Sequence, residues 1–287
     1  MRTILFILTN LLIVIVFGFF FKLLGLQNNI NQISIFIMIL FGFFGSIISL
    51  LLSKFVTLNS INGKIIKNPI NRNEIWLLET ISKFSKISNI KTPEIIIYNS
   101  NDINAFATGF NCNNSLIGLS SGLLKYMNYN QIKAVIAHEI SHINNGDMVT
   151  MGLLQGVMNT FVLFFSQFIS NLIYKKENQD NEKNIFLNIF NSFSFSFFEI
   201  LFGSLANIVV MGFSRYREFR ADADAIKFVG KYNMISALNR LKFSNKLNLK
   251  NNLKVFYING KNFNILNNLF NSHPSIDERI KAIKNIK

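Results

Sequence analysis

Long apolar stretches alternate with polar ones along this chain. The first two apolar stretches, Thr3 to Phe21 and Ile33 to Leu52, are each long enough to cross a hydrocarbon core of ~30 Å as a helix. A secretory signal peptide is the alternative for the first, because Arg2 gives it a basic start, but no small-x-small cleavage site follows it. The pattern predicts a transmembrane hairpin over residues 1–54, with its turn between Gln27 and Gln32.

Two later apolar stretches, Met151 to Ile173 and Ile185 to Phe213, carry more polar residues. Glu199 interrupts the second, and an ionised carboxylate is tolerated within a bilayer only where it faces other helices or a cavity. We predict that residues 151–213 form two further transmembrane helices, the alternative being a helix pair lying at the interface. Polar residues at spacings of four, seven and four draw a stripe along one face of the first: Gln155, Asn159, Ser166 and Ser170.

The segments between and after these stretches are expected to form one domain, its first part residues 55–150 and its second part residues 214–287. Helical periodicity predicts a helix from Glu74 to Ser85. Runs of β-branched and apolar residues predict short strands at Glu94 to Tyr98 and Ser115 to Leu119.

Composition and charge point to a membrane protein. Hydrophobic residues make up 50% of the 287, with 31 Phe, and the formal net charge is +14. The basic residues are scattered, so we assign them to lipid headgroups and not to nucleic acid. Arg2 and the group Lys54, Lys64 and Lys67 lie on the same side of the predicted hairpin, and the positive-inside rule places that side in the cytoplasm.

The single cysteine, Cys112, excludes an internal disulfide and lacks the spacing of a cysteine zinc site. Any metal must therefore be held by His and carboxylate groups. This donor set is typical of catalytic sites more than of structural ones.

Such a site is predicted within NQIKAVIAHEISHINNGD. His138 and His142 are four apart, so on a helix both rings face the same way and can bind one Zn²⁺. Glu139 projects beside them and can take a proton from a water molecule at the metal. Apolar neighbours support a helix, with Asn130 as its expected cap and Gly146 at its end. The alternative is a pair of ordinary polar residues beside a core.

A third protein ligand is expected in SRYREFRADAD, residues 214–224. Glu218 and Asp222 share a helix face, where Glu218 can bind the metal while Asp222 accepts a hydrogen bond from a ligand histidine. The alternative is a solvated helix of mixed charge. Two acids four apart repel each other, however, and a bound cation would relieve that repulsion.

Five motifs in order resemble the HtpX-type membrane-bound zinc metalloproteases, distant relatives of the CAAX prenyl endopeptidases. They are NAFATG from Asn104, HEISHINNGD from His138, GLLQGVMN from Gly152, SRYREFRAD from Ser214 and HPSIDERI from His273. The resemblance covers nearly the whole chain. It implies a mainly α membrane protein: transmembrane helices plus a cytoplasmic zincin-like α+β metalloprotease domain with a small β-sheet.

The same resemblance implies one zinc ion per chain, held by His138, His142 and Glu218, with Glu139 as general base. It further implies that Asn104 lies by the cleft beside an edge strand that pairs with substrate, that His273 stabilises the oxyanion, and that Arg279 orders Asp222 or the cleft. For Asn104 a turn residue is the alternative. For His273 and Arg279 it is the start of a last helix, with Ser272 as a plausible cap.

The sequence thus predicts a zinc metalloendopeptidase of the cell membrane, multi-pass, with a cytoplasmic active site. Its expected substrates are misfolded or damaged membrane proteins and unfolded polypeptides, as part of quality control and the stress response. His142 precedes the third apolar stretch by nine residues, and Glu218 follows the fourth by five. If the helices continue, the metal is expected on the order of 10 Å from the membrane boundary. The alternatives are a non-enzymatic membrane scaffold and a CAAX-type endopeptidase, a family that usually has more spans.

Overall fold

The computed structural model describes residues 32–61, 63–177, 185–252 and 273–286. The stretch Thr3 to Phe21 and the turn after it lie outside the described residues. Seven helices and four strands follow one another in the described part: α1 Gln32–Ser60, β1 Gly63–Ile65, α2 Arg72–Ile87, β2 Glu94–Tyr98, β3 Ala105–Asn111, β4 Asn114–Ser120, α3 Ser121–Tyr126, α4 Tyr129–Asn145, α5 Asp147–Glu177, α6 Ile185–Asn252 and α7 Ile276–Asn285.

The chain divides into two compact units. Among the described residues, one unit contains those within 32–49 and 151–210, and the other contains those within 50–150 and 211–286. The second unit carries the sheet and all of the predicted site residues.

A small mixed sheet with the order β1-β2-β4-β3 organises the second unit. β2 pairs with β4 in parallel, while β1 with β2 and β3 with β4 are antiparallel. Large side chains on α2, on the inner strands and on α4 fill the core, among them Leu77, Ile81, Ile95, Ile117, Leu119, Ile136 and Ile140, all 1% exposed or less. The core holds the middle of α4 against the sheet.

The cap of helix α4 lies two residues earlier than predicted. Asn128, not Asn130, is its N-cap: its side chain accepts from the backbone N–H of Gln131, and the Gln131 side chain accepts in return from the N–H of Asn128. Gly146 ends the helix as predicted, in the left-handed conformation with φ of 64°.

Helix α6 is 68 residues long and contains one break, at Gly230. The φ of 78° and ψ of 158° at Gly230 lie in a region that is open almost only to glycine. The break separates the part of α6 that carries Glu218 from the part that starts at Lys231.

Two described helices are long and apolar enough to cross a membrane by length and composition, Asp147–Ile173 and Ser192–Ser244. Their exposed residues include large apolar side chains such as Phe193, 70% exposed, and Ile200, 75% exposed. Several small polar side chains, by contrast, are buried, including Ser166, which donates to the carbonyl of Val162. This distribution suits helices that are surrounded by lipid.

The predicted polar stripe has two different environments. Gln155 and Asn159 are exposed and hydrogen bonded to each other at 2.9 Å. Ser166 and Ser170 are completely buried.

Candidate metal centre

Three side chains of the second unit converge on one point. His138 and His142 come from α4, and Glu218 comes from α6. The Nε2 atoms of the two histidines are 3.1 Å apart, and Glu218 Oε1 lies 3.2 Å from Nε2 of His142. Glu218 Oε2 lies 3.6 Å from Nε2 of His138. The structure therefore brings together the three residues that the sequence predicted as ligands.

The donor set fits a tetrahedral zinc ion. Two ligand atoms each about 2.0–2.1 Å from such an ion lie roughly 3.3–3.4 Å from each other. The separations of 3.1, 3.2 and 3.6 Å bracket this value. Glu218 itself is 2% exposed, and its Oε2 atom has Arg279 Nη1 at 3.2 Å and His273 Nδ1 at 3.0 Å. These neighbours favour the ionised carboxylate, which is the form that binds a cation.

The outer nitrogen of His138 is held by Asp222. The Nδ1 atom of His138 lies 2.9 Å from Asp222 Oδ1. Because a carboxylate only accepts, Nδ1 donates the proton and Nε2 is left free to bind a metal. Arg279 holds Asp222 in turn, with Nε donating to Oδ2 at 2.7 Å and Nη2 donating to Oδ1 at 2.6 Å. The predicted neighbourhood of Asp222 and Arg279 is therefore present.

A second aspartate, which the sequence argument did not single out, does the same for His142. Asp147 Oδ2 lies 2.7 Å from Nδ1 of His142, and Asp147 is 1% exposed. Arg220 donates to its other oxygen, and the guanidinium of Arg217 lies beside it. The sequence held one signal for this role of Asp147: an acid directly follows Gly146, the glycine that ends α4. Arginines on both sides of Glu218 are its candidate partners.

Electrostatics link these groups. Burial alone lowers the pKa of His138, but the Asp222 and Glu218 carboxylates outweigh it and raise that pKa to about 9. For His142 the balance is the same, since Asp147 and Glu218 raise its pKa despite burial. Burial would raise the pKa of Glu218, yet the two histidines hold it well below its usual range. The centre is thus built for an ionised carboxylate facing a positive charge.

Glu139 lies next to the centre. It is 8% exposed and lines the same cavity as His138 and Glu218. A carboxylate at the wall of this cavity can exchange protons with a molecule bound there.

His273 approaches the centre from the segment before α7. Its side chain is 66% exposed, and its Nδ1 atom lies 3.0 Å from Glu218 Oε2. Helix α7 itself is capped by Ser275, which forms a capping box with Glu278, so the predicted cap at Ser272 is three residues too early. His273 therefore belongs to the surface of the site and not to a helix.

Asn104 lies at the other wall of the cavity. Its backbone is fixed by Ser120, whose hydroxyl accepts from the N–H of Asn104 and whose own N–H donates to the Asn104 carbonyl. Strand β3 starts at the next residue, Ala105, and is an edge strand of the described sheet. Neither β3 nor β1 was among the predicted strands.

Comparison with known proteins extends the picture beyond the site. Residues 71–287 match the sequence profile of peptidase family M48. The protease HtpX of Buchnera aphidicola subsp. Schizaphis graminum is 48% identical over 292 residues, covering 100% of this chain and 99% of the relative. The protease HtpX of Haemophilus influenzae strain PittEE is 45% identical over 287 residues, covering 100% of both chains.

A solved structure shares the fold. The crystal structure of Ste24p from S. mikatae superimposes with a TM-score of 0.64 at 20% sequence identity, covering 98% of this chain. This chain spans 65% of the Ste24p chain. The match confirms a mainly helical fold with a small sheet, like that of Ste24p.

The resemblance drawn from the five motifs is confirmed. The relatives match over the full length, at 45 to 50% identity. They carry the name protease, which excludes the alternative of a non-enzymatic scaffold.

Proposed function

This chain belongs to peptidase family M48 and is a membrane-associated metalloprotease, and we propose that it is a zinc endopeptidase whose centre is His138, His142 and Glu218. The observation that carries the proposal is the arrangement of the three ligand atoms. Their separations of 3.1, 3.2 and 3.6 Å suit three corners of a zinc tetrahedron, and each histidine has its Nδ1 proton held by an aspartate.

The chemistry follows from this arrangement. When bound, Zn²⁺ supplies Lewis-acid polarisation of the scissile carbonyl and makes water acidic enough to ionise near pH 7. Glu139 takes a proton from the attacking water and passes it to the leaving amine, because it lines the cavity beside His138. The peptide bond breaks: the carbonyl carbon keeps the oxygen of the attacking water, and the leaving amine takes the proton that Glu139 carried.

The surrounding residues are assigned supporting roles. His273, exposed and beside Glu218, can donate to the oxyanion that forms during attack. Arg279 orders Asp222 through two charge-assisted hydrogen bonds. Asn104 binds the substrate backbone at the start of the β3 edge, where an extended peptide can add as a further strand.

We further propose that the active site faces the cytoplasm of a multi-pass protein in the cell membrane. Lys54, Lys64 and Lys67 follow the second apolar stretch, which favours that orientation. The short sequence distance from His142 and from Glu218 to apolar stretches favours substrates that emerge from a bilayer. Misfolded or damaged membrane proteins fit this description, and their removal is a quality-control and stress-response task.

The test compares the wild type with Glu139→Gln in detergent, on casein and on an unfolded membrane protein. We expect zinc-dependent cleavage by the wild type, loss on chelation and return with added Zn²⁺. Glu139→Gln should cut turnover by ~10²–10⁴-fold. It should still bind one zinc ion per chain, because the three ligands are unchanged.

Two results would count against the proposal. Retained cleavage by a clean Glu139→Gln preparation would remove Glu139 from the reaction. A clear preference for soluble over membrane-embedded substrates in reconstituted vesicles would contradict the proposed substrate class.

A further inference from the structure

A cavity of about 140 Å³ adjoins the metal centre. Its polar end carries the charged and imidazole groups of the centre, and Asn104 lies at its wall; the groups at the polar end are His138, Glu139, Glu218, His273 and Arg279. The remaining lining residues are apolar. The cavity therefore extends beyond the reacting groups into a part that is lined by apolar side chains.

One helical face forms much of the apolar wall. Met234, Ala237, Leu238 and Leu241 all line the cavity and come from the part of α6 after Gly230. Their spacing of three, four and seven residues puts them on the same side of a helix.

The opposite wall comes from other elements of the same unit. Val135 lies three residues before His138 on α4, so it shares the face that carries the metal ligand. Leu123 of α3 and Ile103, just before Asn104, complete the lining. Leu123 and Leu238 are completely buried and Met234 is 2% exposed, so the floor of the cavity is part of the core.

We propose that this cavity binds one apolar side chain of the substrate, at a residue that flanks the cleaved bond. The inference rests on the proposed peptidase function and names the substrate feature that the site selects. The occupant must belong to the substrate because the cavity opens onto Glu139 and His138, where the bond is cut. A peptide lying along the β3 edge past Asn104 would direct a side chain into it.

Size and polarity define the class of side chain. An apolar cavity of roughly 150 Å³ accepts one group as large as a benzene ring. The space of about 140 Å³ therefore suits Leu, Met, Ile or Phe, and Ala leaves it partly empty. An Asp or Lys side chain would lose its hydration against the apolar walls, and the guanidinium at the polar end, Arg279, is already paired with Asp222 and Glu218.

The test uses peptides that differ only at the two residues flanking the cleaved bond. For the wild type we expect kcat/KM with Leu or Met at one of these positions to exceed that with Ala by ~10-fold or more. Asp at the same position should be poorer still. Equal cleavage of the Leu and Asp peptides at both positions would overturn the proposal.

Two variants change the cavity in opposite directions. Ala237→Leu fills it and should shift the preference toward Ala and Gly. Leu241→Ala enlarges it and should favour Phe, and it keeps the proposal testable if Ala237→Leu fails to fold. Asn239→Leu introduces the same leucine side chain at an exposed position of the same helix, outside the lining, and should leave the preference unchanged. An unchanged preference in both cavity variants, when folded, would contradict the assignment.

A binding measurement separates this inference from the peptidase function. The Kd of the Leu and Asp peptides for Glu139→Gln is measured by fluorescence anisotropy, which needs no turnover. If the wild type cleaves nothing but the Leu peptide binds at least ~10-fold tighter, the peptidase proposal fails and the cavity proposal stands. If the wild type cleaves peptides but binding and cleavage ignore the side chain, only the cavity proposal fails.

Discussion

Each of the two metal-facing imidazoles has its own aspartate, and each aspartate has its own arginine. His138 is backed by Asp222 and Arg279, while His142 is backed by Asp147 and an arginine of α6. Each arginine holds its aspartate beside the ring, and a carboxylate only accepts, so the Nδ1 proton stays on the histidine and the other ring nitrogen remains available to a metal. Asp147 is therefore expected to contribute to metal affinity as a positioning residue.

Replacing Asp147 tests this expectation. Asp147→Ala leaves the Nδ1 proton of His142 without its acceptor, and we expect zinc affinity to fall by about 10–100-fold. Asp147→Asn keeps an oxygen that can accept, so it should restore part of the loss. The zinc Kd is measured by competition with a chelator, with circular dichroism to show that the variants are folded.

Asp224→Asn provides the matched control. Asp224 lies on α6, the helix that carries Glu218, and accepts from Asn145 at 2.9 Å, but no metal-facing residue contacts it among the bonds that the structure describes. Its loss should leave the zinc Kd within about twofold. A folded Asp147→Ala protein with wild-type zinc affinity would contradict the positioning role.

The contrast between Glu218 and Asp147 shows what sequence alone can reveal about the site. Two acids four residues apart on a helix repel each other and pointed to a bound cation, so Glu218 and Asp222 were predictable from local chemistry. Asp147 was not singled out, because the two arginines that hold it, Arg217 and Arg220, are 70 and 73 residues away in sequence. The packing of α4 against α6 brings Asp147 to Arg220, and no local pattern encodes that contact.

At the scale of elements, helix α4 was predicted in type and extent because its apolar period and its terminal glycine agree. Its cap was wrong for a local reason. Asn130 and Asn128 can both accept at a helix start, but only Asn128 has a glutamine three residues later to complete the capping box. The residue three after Asn130 is Lys133, which cannot accept a hydrogen bond.

Local propensity also decided which strands could be predicted. β2 is the run Glu94–Tyr98 that β-branched residues predicted, and β4 extends the predicted strand by one residue at each end. β3 is rich in small residues, with two Ala and one Gly among its seven, so its propensity is weak. Pairing with β4 over most of its length is what makes it a strand.

Gly230 controls how the two parts of α6 are joined, which leads to a prediction for this element. Gly230→Ala should destabilise the protein by about 1–3 kcal/mol, because an L side chain is strained at φ of 78° and ψ of 158°. An added Cβ would meet no atom within 4 Å, so any loss comes from the backbone and not from a clash. The thermal midpoint in detergent should fall by roughly 2–4 °C per kcal/mol.

Gly203→Ala is the control for this substitution. Gly203 is also in α6 with open space around its Cβ position, but its backbone is helical, where Ala is favoured over Gly. Its midpoint should stay equal or rise slightly. A Gly230→Ala protein as stable as the wild type would show that the break at Gly230 does not need glycine.

At the scale of the whole molecule, the two units have different surfaces. In the unit with residues 151–210, exposed side chains include Phe193, Phe197 and Ile200, while Ser166 and Ser194 are buried. The other unit follows the pattern of a water-soluble domain, with an apolar core under the sheet. This difference, already present in the sequence as alternating apolar and polar stretches, supports a membrane part and a part in water.

The single cysteine of the chain can show on which side of the membrane the unit with the metal centre lies. Cys112 lies in the turn between β3 and β4 of the unit that holds the metal centre, and it is partly buried. If positive charges keep this unit in the cytoplasm, a membrane-impermeant maleimide should leave Cys112 unlabelled in intact spheroplasts and label it once the membrane is permeabilised.

Two variants control this experiment. Asn113→Cys in a Cys112→Ser background puts an exposed thiol at the same turn and controls for poor access. Cys112→Ser alone gives the background labelling. Labelling of intact spheroplasts as strong as that of permeabilised ones would place the metal centre on the outer face, and the substrates would then have to be sought there.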